Sequence, residues 1–177
     1  MRGNIILSHG FESGPEAAKT TAMAEVAECR GWRTLRPDYR DLDANGLAES
    51  VAPRLARLRA LCAETGGPCV LAGSSMGAFV SGLVSCEVAC RGLFLLAVPV
   101  LIPGHPAPFD FADGVPVTLV HGFSDELCPA DSVVDLARRR RVRLLMVADS
   151  HRLADHVDWI AGQFGLFLDH LDGMAAA

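Results

Sequence analysis

Apolar residues in this chain fall into short unbroken runs, separated by longer stretches in which they recur every three or four positions. The two patterns alternate from end to end. The runs Asn4 to Ser8, Cys69 to Ala72 and Gly92 to Val98 are continuous rather than alternating, which predicts strands of a mostly parallel sheet covered on both faces. A weaker run at Trp32 to Pro37, and further strands at Pro116 to His121 and Val142 to Ala148, extend the set. Between them, Ser13-Gly14-Pro15-Glu16 has capping-box spacing and a first-turn proline, predicting a helix that ends at Gly31. Gly46 to Thr65 carries Leu47, Val51, Leu55, Leu58 and Leu61 at helical spacing, with Arg54, Arg57 and Glu64 assigned to its other faces. Met76 to about Val88 is rich in small residues and suits a helix packed closely on a sheet. Pro129 starts another helix, and Leu153, Val157, Ile160, Phe164 and Phe167 stripe the last one. This order predicts an α/β fold of three layers, α/β/α, around a six-stranded sheet.

One interval breaks the alternation. Pro99 to Gly114, with Pro103, Gly104, Pro106 and Pro108, stands where a crossover helix is expected, and a loop of that length is usually functional. Its apolar members Leu101, Ile102 and Phe109 are candidate substrate contacts.

Composition narrows the picture further. With 177 residues, half of them hydrophobic, the chain is expected to form one domain over residues 1–177. Such a domain buries about 70% of its unfolded surface. The net charge of -5 excludes general attraction to nucleic acid or an anionic membrane. The run Arg138 to Arg141 lies where a helix ends, and there cations complement the helix dipole. Six cysteines without a C-x-x-C pair predict reduced, mostly buried thiols, with Cys86 and Cys90 in the apolar core. No apolar run is long enough for a signal peptide or a membrane span, so a cytoplasmic protein is expected.

The chemistry concentrates at strand ends. Gly73-Ser74-Ser75-Met76-Gly77 matches G-x-S-x-G, between the strand at Cys69 to Ala72 and a small-residue helix, where a serine can sit on a strained turn. Ser75, flanked at two residues by glycine on both sides, is preferred to Ser74 as nucleophile. A serine hydroxyl needs a base and a group to orient that base. Asp125 follows the fifth strand and His151 the sixth, in the chain order Ser, Asp, His that this turn type requires. Glu126 and His156 are the alternatives. The oxyanion of a tetrahedral intermediate needs two backbone donors. The N–H groups of Met76 and of Phe11, in His9-Gly10-Phe11 after the first strand, are placed to supply them. Asp149, His151, Asp155 and His156 lack zinc-hydrolase spacing, and no metal is expected.

Together, His9-Gly10-Phe11, the Gly73 to Gly77 turn, His121-Gly122-x-x-Asp125 and Ser150-His151-Arg152 make the chain resemble the α/β-hydrolase superfamily, particularly its short bacterial esterase and thioesterase-like members. The resemblance implies Ser75 as nucleophile, His151 as general base and acid, Asp125 as the orienting carboxylate, and Phe11 and Met76 as oxyanion-hole donors. It implies no cofactor, a small-molecule acyl substrate, and hydrolysis of a carboxylic ester or thioester. Acyl transfer on the same triad, or non-catalytic binding of a small ligand, is the alternative. Two leading strands of the fuller family pattern are missing. Only the 99–114 loop stands where many relatives carry a cap, so the pocket's selectivity and the oligomeric state stay open.

Overall fold

The computed structural model describes residues 1–175. Six strands form one parallel sheet in the order β2-β1-β3-β4-β5-β6. They are β1 (Asn4–Ser8), β2 (Arg33–Leu35), β3 (Cys69–Ser74), β4 (Cys90–Leu96), β5 (Val117–Gly122) and β6 (Arg143–Val147). The helices are α1 (Ala18–Cys29), α2 (Arg40–Asp43), α3 (Val51–Glu64), α4 (Met76–Ser85), α5 (Ala130–Arg140) and α6 (Val157–Ala175), with a 3₁₀ turn at Ala154–His156.

The continuous apolar runs are explained by burial on both sides. Successive residues of each central strand enter opposite cores: Ile6, Leu71, Leu93, Leu95 and Leu119 pack with α3, α4 and α5. Ile5, Leu7, Val70, Phe94 and Leu96 pack with α1 and α6. No helix among the described residues is long and apolar enough to cross a membrane.

Several local expectations need correction. The segment from Ser13 does not start a helix; α1 begins at Ala18 without a side-chain cap. Glu12 has φ +52°, Pro15 disfavours helical backbone at Gly14, and Glu16 pairs with Arg40 at 3.2 Å instead of closing a capping box. The expected helix from Gly46 starts only at Val51, preceded by the short α2. Helix α4 stops at Ser85, so Cys86 is exposed and Cys90 opens β4; they share neither a helix nor the core. The thiols are therefore only partly buried: Cys62, Cys69 and Cys128 are inside, and Cys29 is also exposed.

The 99–114 loop is pinned rather than loose. Phe109 and Phe111 are buried in the α3–α4–α5 core. Arg140, last residue of α5, bonds Asp110 and Asp113, and donates to the Phe111 carbonyl at 2.6 Å. Its guanidinium lies 4.0 Å above the Phe111 ring. One arginine of the basic run is thus a loop anchor.

Candidate active site

Strand order reverses beside β1: β2 lies on one side of it and β3 on the other. In open parallel sheets the crevice at the carboxyl ends of such a strand pair is where sites form. Here β1 and β3 are paired through Ser8 and Gly73, so the chain leaving β1 and the turn leaving β3 run side by side.

Ser75 occupies that turn with φ +53° and ψ -120°, a backbone conformation that side-chain-bearing residues rarely adopt. Its own N–H is held by the Leu96 carbonyl at 2.9 Å. The two flanking glycines are dictated by crowding. A Cβ on Gly73 would lie 2.4 Å from the Gly77 backbone, and one on Gly77 would lie 2.0 Å from the Ser8 carbonyl oxygen. The strained turn therefore exists because β1, β3 and α4 meet at van der Waals distance with no room for a side chain.

The three candidate triad residues come together in line. Ser75 Oγ is 2.9 Å from His151 Nε2. His151 Nδ1 is 2.8 Å from Asp125 Oδ2 and 3.0 Å from Oδ1. The Asp125 carboxylate is fully buried and also accepts the N–H groups of Leu127 at 3.0 Å and Cys128 at 2.7 Å. Those bonds fix its orientation. His121, buried and held neutral because burial pushes its pKa down, bonds the Cys128 carbonyl at 2.9 Å and braces the same loop. The Cys128 thiol is within 4.8 Å of a carboxylate oxygen of Asp125 and a ring nitrogen of His151. Burial, with the nearby Asp125 and Glu126, pushes it up to about 12, so it stays a protonated thiol beside the triad.

The alternatives are occupied elsewhere. Glu126 accepts the backbone N–H of His151 at 3.2 Å. His156 bonds Asp149 at 2.9 Å, and Asp149 also takes the N–H groups of Ser150 at 2.7 Å and Asp155 at 3.0 Å. Burial pushes the Asp149 carboxyl up, but His156 and the two N–H groups outweigh it and hold it below the usual carboxylate range.

Phe11 and Met76 both line the cavity over Ser75, and among the described residues neither N–H donates to a protein acceptor. Met76 is the first residue of α4, so its N–H points out of the helix start, where backbone dipoles favour negative charge. The cavity is about 750 Å³, and Ser75 and His151 are among its lining residues. Of the three substrate contacts expected from the loop, Leu101 and Ile102 are in its wall. Phe109 is not: its ring lies against Gly82 of α4, where a Cβ would come within 2.3 Å of it. The lining also includes Lys19, the chain's lone lysine, which donates to the Arg152 carbonyl.

Comparison with known proteins identifies the family and the fold. Residues 1–157 match the family model for the alpha/beta hydrolase domain. A solved structure of a candidate hydrolase of the alpha/beta superfamily from Xanthomonas campestris pv. campestris is 45% identical, with a TM-score of 0.90 over 95% of this chain and 99% of that one. The chain belongs to the alpha/beta hydrolase family. More distant solved structures share the fold. Alpha/beta hydrolase domain-containing protein 10 from mouse is 19% identical, with a TM-score of 0.77 over 98% of this chain and 92% of that one. Est1E from Butyrivibrio proteoclasticus is 18% identical, with a TM-score of 0.76 over 97% and 88%. A search of curated proteins returns no match.

In this alpha/beta hydrolase the sequence reading overlooked a second tier of residues. Arg54, assigned there to a face away from the apolar stripe, is 0% exposed and paired with Asp43 at 2.6 Å. A signal was present. Arg54 is three residues after Val51 and four before Leu58, on the buried face of α3. A charge in that stripe demands a buried partner, but nothing in the spacing says that the partner is Asp43.

Proposed function

We propose that this alpha/beta hydrolase is a serine hydrolase that cleaves a carboxylic ester or thioester of a small acyl compound. The observation that carries the reading is the unbroken line from Ser75 Oγ through His151 to the buried Asp125 carboxylate, with contacts of 2.9 Å and 2.8 Å. In the reaction, the Ser75 oxygen bonds to the substrate carbonyl carbon as its proton passes to His151 Nε2, and the carbonyl π electrons move to oxygen. The N–H groups of Phe11 and Met76 receive that oxyanion. Collapse expels the alcohol or thiol, which takes the proton from His151. Water then repeats the sequence on the acyl-enzyme, with His151 as base, and releases the carboxylic acid and free Ser75.

The substrate class is supported by the cavity wall, which is mainly apolar beside the nucleophile and includes Phe11, Leu47, Leu101 and Ile102. Est1E, a fold relative, has been solved with ferulic acid bound. That precedent favours including aryl esters among the test substrates. A fluorophosphonate probe should label the wild-type protein and fail to label Ser75→Ala. Labelling that persists in the variant would move the nucleophile elsewhere. A chain-length series of p-nitrophenyl esters and acyl thioesters then reads the pocket: one sharp optimum means a shaped acyl site, uniform slow rates an open one.

A further inference from the structure

Nothing in the proposed chemistry uses the largest fully buried side chain of the protein, Arg54. Its guanidinium makes a two-pronged contact with Asp43, Nε to Oδ1 at 2.8 Å and Nη2 to Oδ2 at 2.6 Å. The same group donates from Nη1 to the His9 carbonyl at 2.9 Å and from Nη2 to the Gly10 carbonyl at 3.1 Å. Asp43 Oδ2 accepts the N–H of Glu12 at 3.1 Å. The pair therefore grips the backbone on both sides of Phe11.

The Gly10 carbonyl is the decisive contact. It belongs to the same planar peptide unit as the Phe11 N–H, and in a trans peptide the two point in opposite directions; no cis peptide occurs among the described residues. Holding the carbonyl oxygen in the interior consequently sends the N–H the other way. Two donors hold it: Arg54, and His9 Nδ1 at 2.7 Å. Since His9 Nε2 accepts the Tyr39 N–H at 2.9 Å, the imidazole proton is on Nδ1. Burial pushes the His9 pKa down, which keeps the ring in that neutral form. Tyr39 completes the cradle, with its ring 4.6 Å from the guanidinium and its hydroxyl 3.1 Å from Ser8 Oγ. Glu12, the next residue, sits at φ +52°, a conformation that its own backbone does not favour and that the bond to Asp43 secures.

We propose that Asp43 and Arg54 are positioning residues for the oxyanion hole, with the specific task of keeping the Gly10–Phe11 peptide turned so that its N–H faces the nucleophile. The proposal rests on Phe11 being an oxyanion donor, as in the serine hydrolase reading above. An ion pair serving stability alone would need only its internal contacts. Here the guanidinium spends two of its donors on consecutive carbonyls of the oxyanion loop.

Arg54→Lys keeps a positive charge opposite Asp43 but lacks the planar fork needed to reach both carbonyls and both carboxylate oxygens. If it does not fold, Asp43→Asn/Arg54→Gln removes both charges together and carries the same measurements. In the folded variant, kcat for a p-nitrophenyl ester should fall about 10²-fold with KM within about threefold, the split expected when a transition-state donor is misplaced. A kcat within about threefold of wild type would overturn the proposal. The second readout needs no substrate. The Phe11 amide ¹H–¹⁵N resonance of the free protein should shift or split in the variant, and a resonance identical to wild type would equally overturn it. Absence of ester hydrolysis by the wild-type protein would instead sink the serine hydrolase reading, while the resonance still reports on the clamp.

Discussion

The two sides of the site are held by different kinds of bond. On the acid and base side, Asp125 is oriented by the N–H groups of Leu127 and Cys128, and Asp149 by Ser150, Asp155 and His156, all within seven residues. On the oxyanion side, residues 9 to 12 are held by Tyr39, Asp43 and Arg54, which lie 30 to 45 residues away. A carboxylate that takes nearby backbone N–H groups forms its turn from local chain alone. A buried ion pair helps only when both charges and the surrounding hydrogen bonds are in place, because each half alone is costly to bury. The two carboxylates on one side are thus set by local turns, whereas the oxyanion loop is set by the whole fold.

The largest expected effect is at Asp125. Asp125→Asn should lower kcat about 10⁴-fold, because the amide no longer favours the imidazolium or fixes the tautomer of His151. Its fold should survive, since the amide oxygen still accepts the Leu127 and Cys128 N–H groups. Near-normal turnover in steady-state assays would remove Asp125 from the triad.

The contrast itself is tested by paired stability measurements. Asp43→Ala leaves Arg54 charged, fully buried and unpaired, and should cost about 3–5 kcal/mol in urea unfolding. Asp149→Ala should cost about 1–2 kcal/mol, the range for leaving hydrogen-bonding groups without their partner. His156, one of those partners, also reaches solvent. Equal losses would show that the two sides are not held differently after all.

The smallest effect is on pH dependence, and it should be shared by both sides. His9 braces one and His121 the other, and burial pushes both below the ordinary imidazole value of 6.5. The folded protein keeps these rings neutral while the unfolded chain takes up protons. Stability is therefore full above pH 6.5 and is lost as pH falls through that value towards the lowered folded ones. Each ring contributes a slope of up to about 1.4 kcal/mol per pH unit. Urea midpoints at pH 7, 6 and 5 read the slope, and a flat profile would mean that both rings protonate in place.

Legibility in the sequence followed the range of the interactions. Ser75, Asp125 and His151 could be picked out because each is tied to a strand end and to a short local pattern, and the parallel sheet then brings those ends to one edge. Leu101 and Ile102 were placed near the cavity by the same logic. Phe109 failed it, because a loop residue's direction depends on the hole it fills, here the gap left by Gly82. The start of α1 was misread because Ser13 and Glu16 have cap spacing, but the loop before them is pulled into the site and Glu16 pairs with Arg40. Arg54 falls outside the apolar stripe of α3 when the stripe is drawn from leucine and valine alone, and arginine is seldom fully buried.

Hydrophobic periodicity and the residues at strand ends were enough, by themselves, to determine the parallel α/β core and to nominate the members of the proposed catalytic line. Both depend on contacts that repeat along the chain or close within a few residues. Tertiary structure alone decided which buried charge meets which, that Asp43 and Arg54 grip the loop after β1, and which way the Gly10–Phe11 peptide faces. Those outcomes depend on side chains far apart in sequence meeting in a space that water has left, and no local pattern encodes where that meeting occurs.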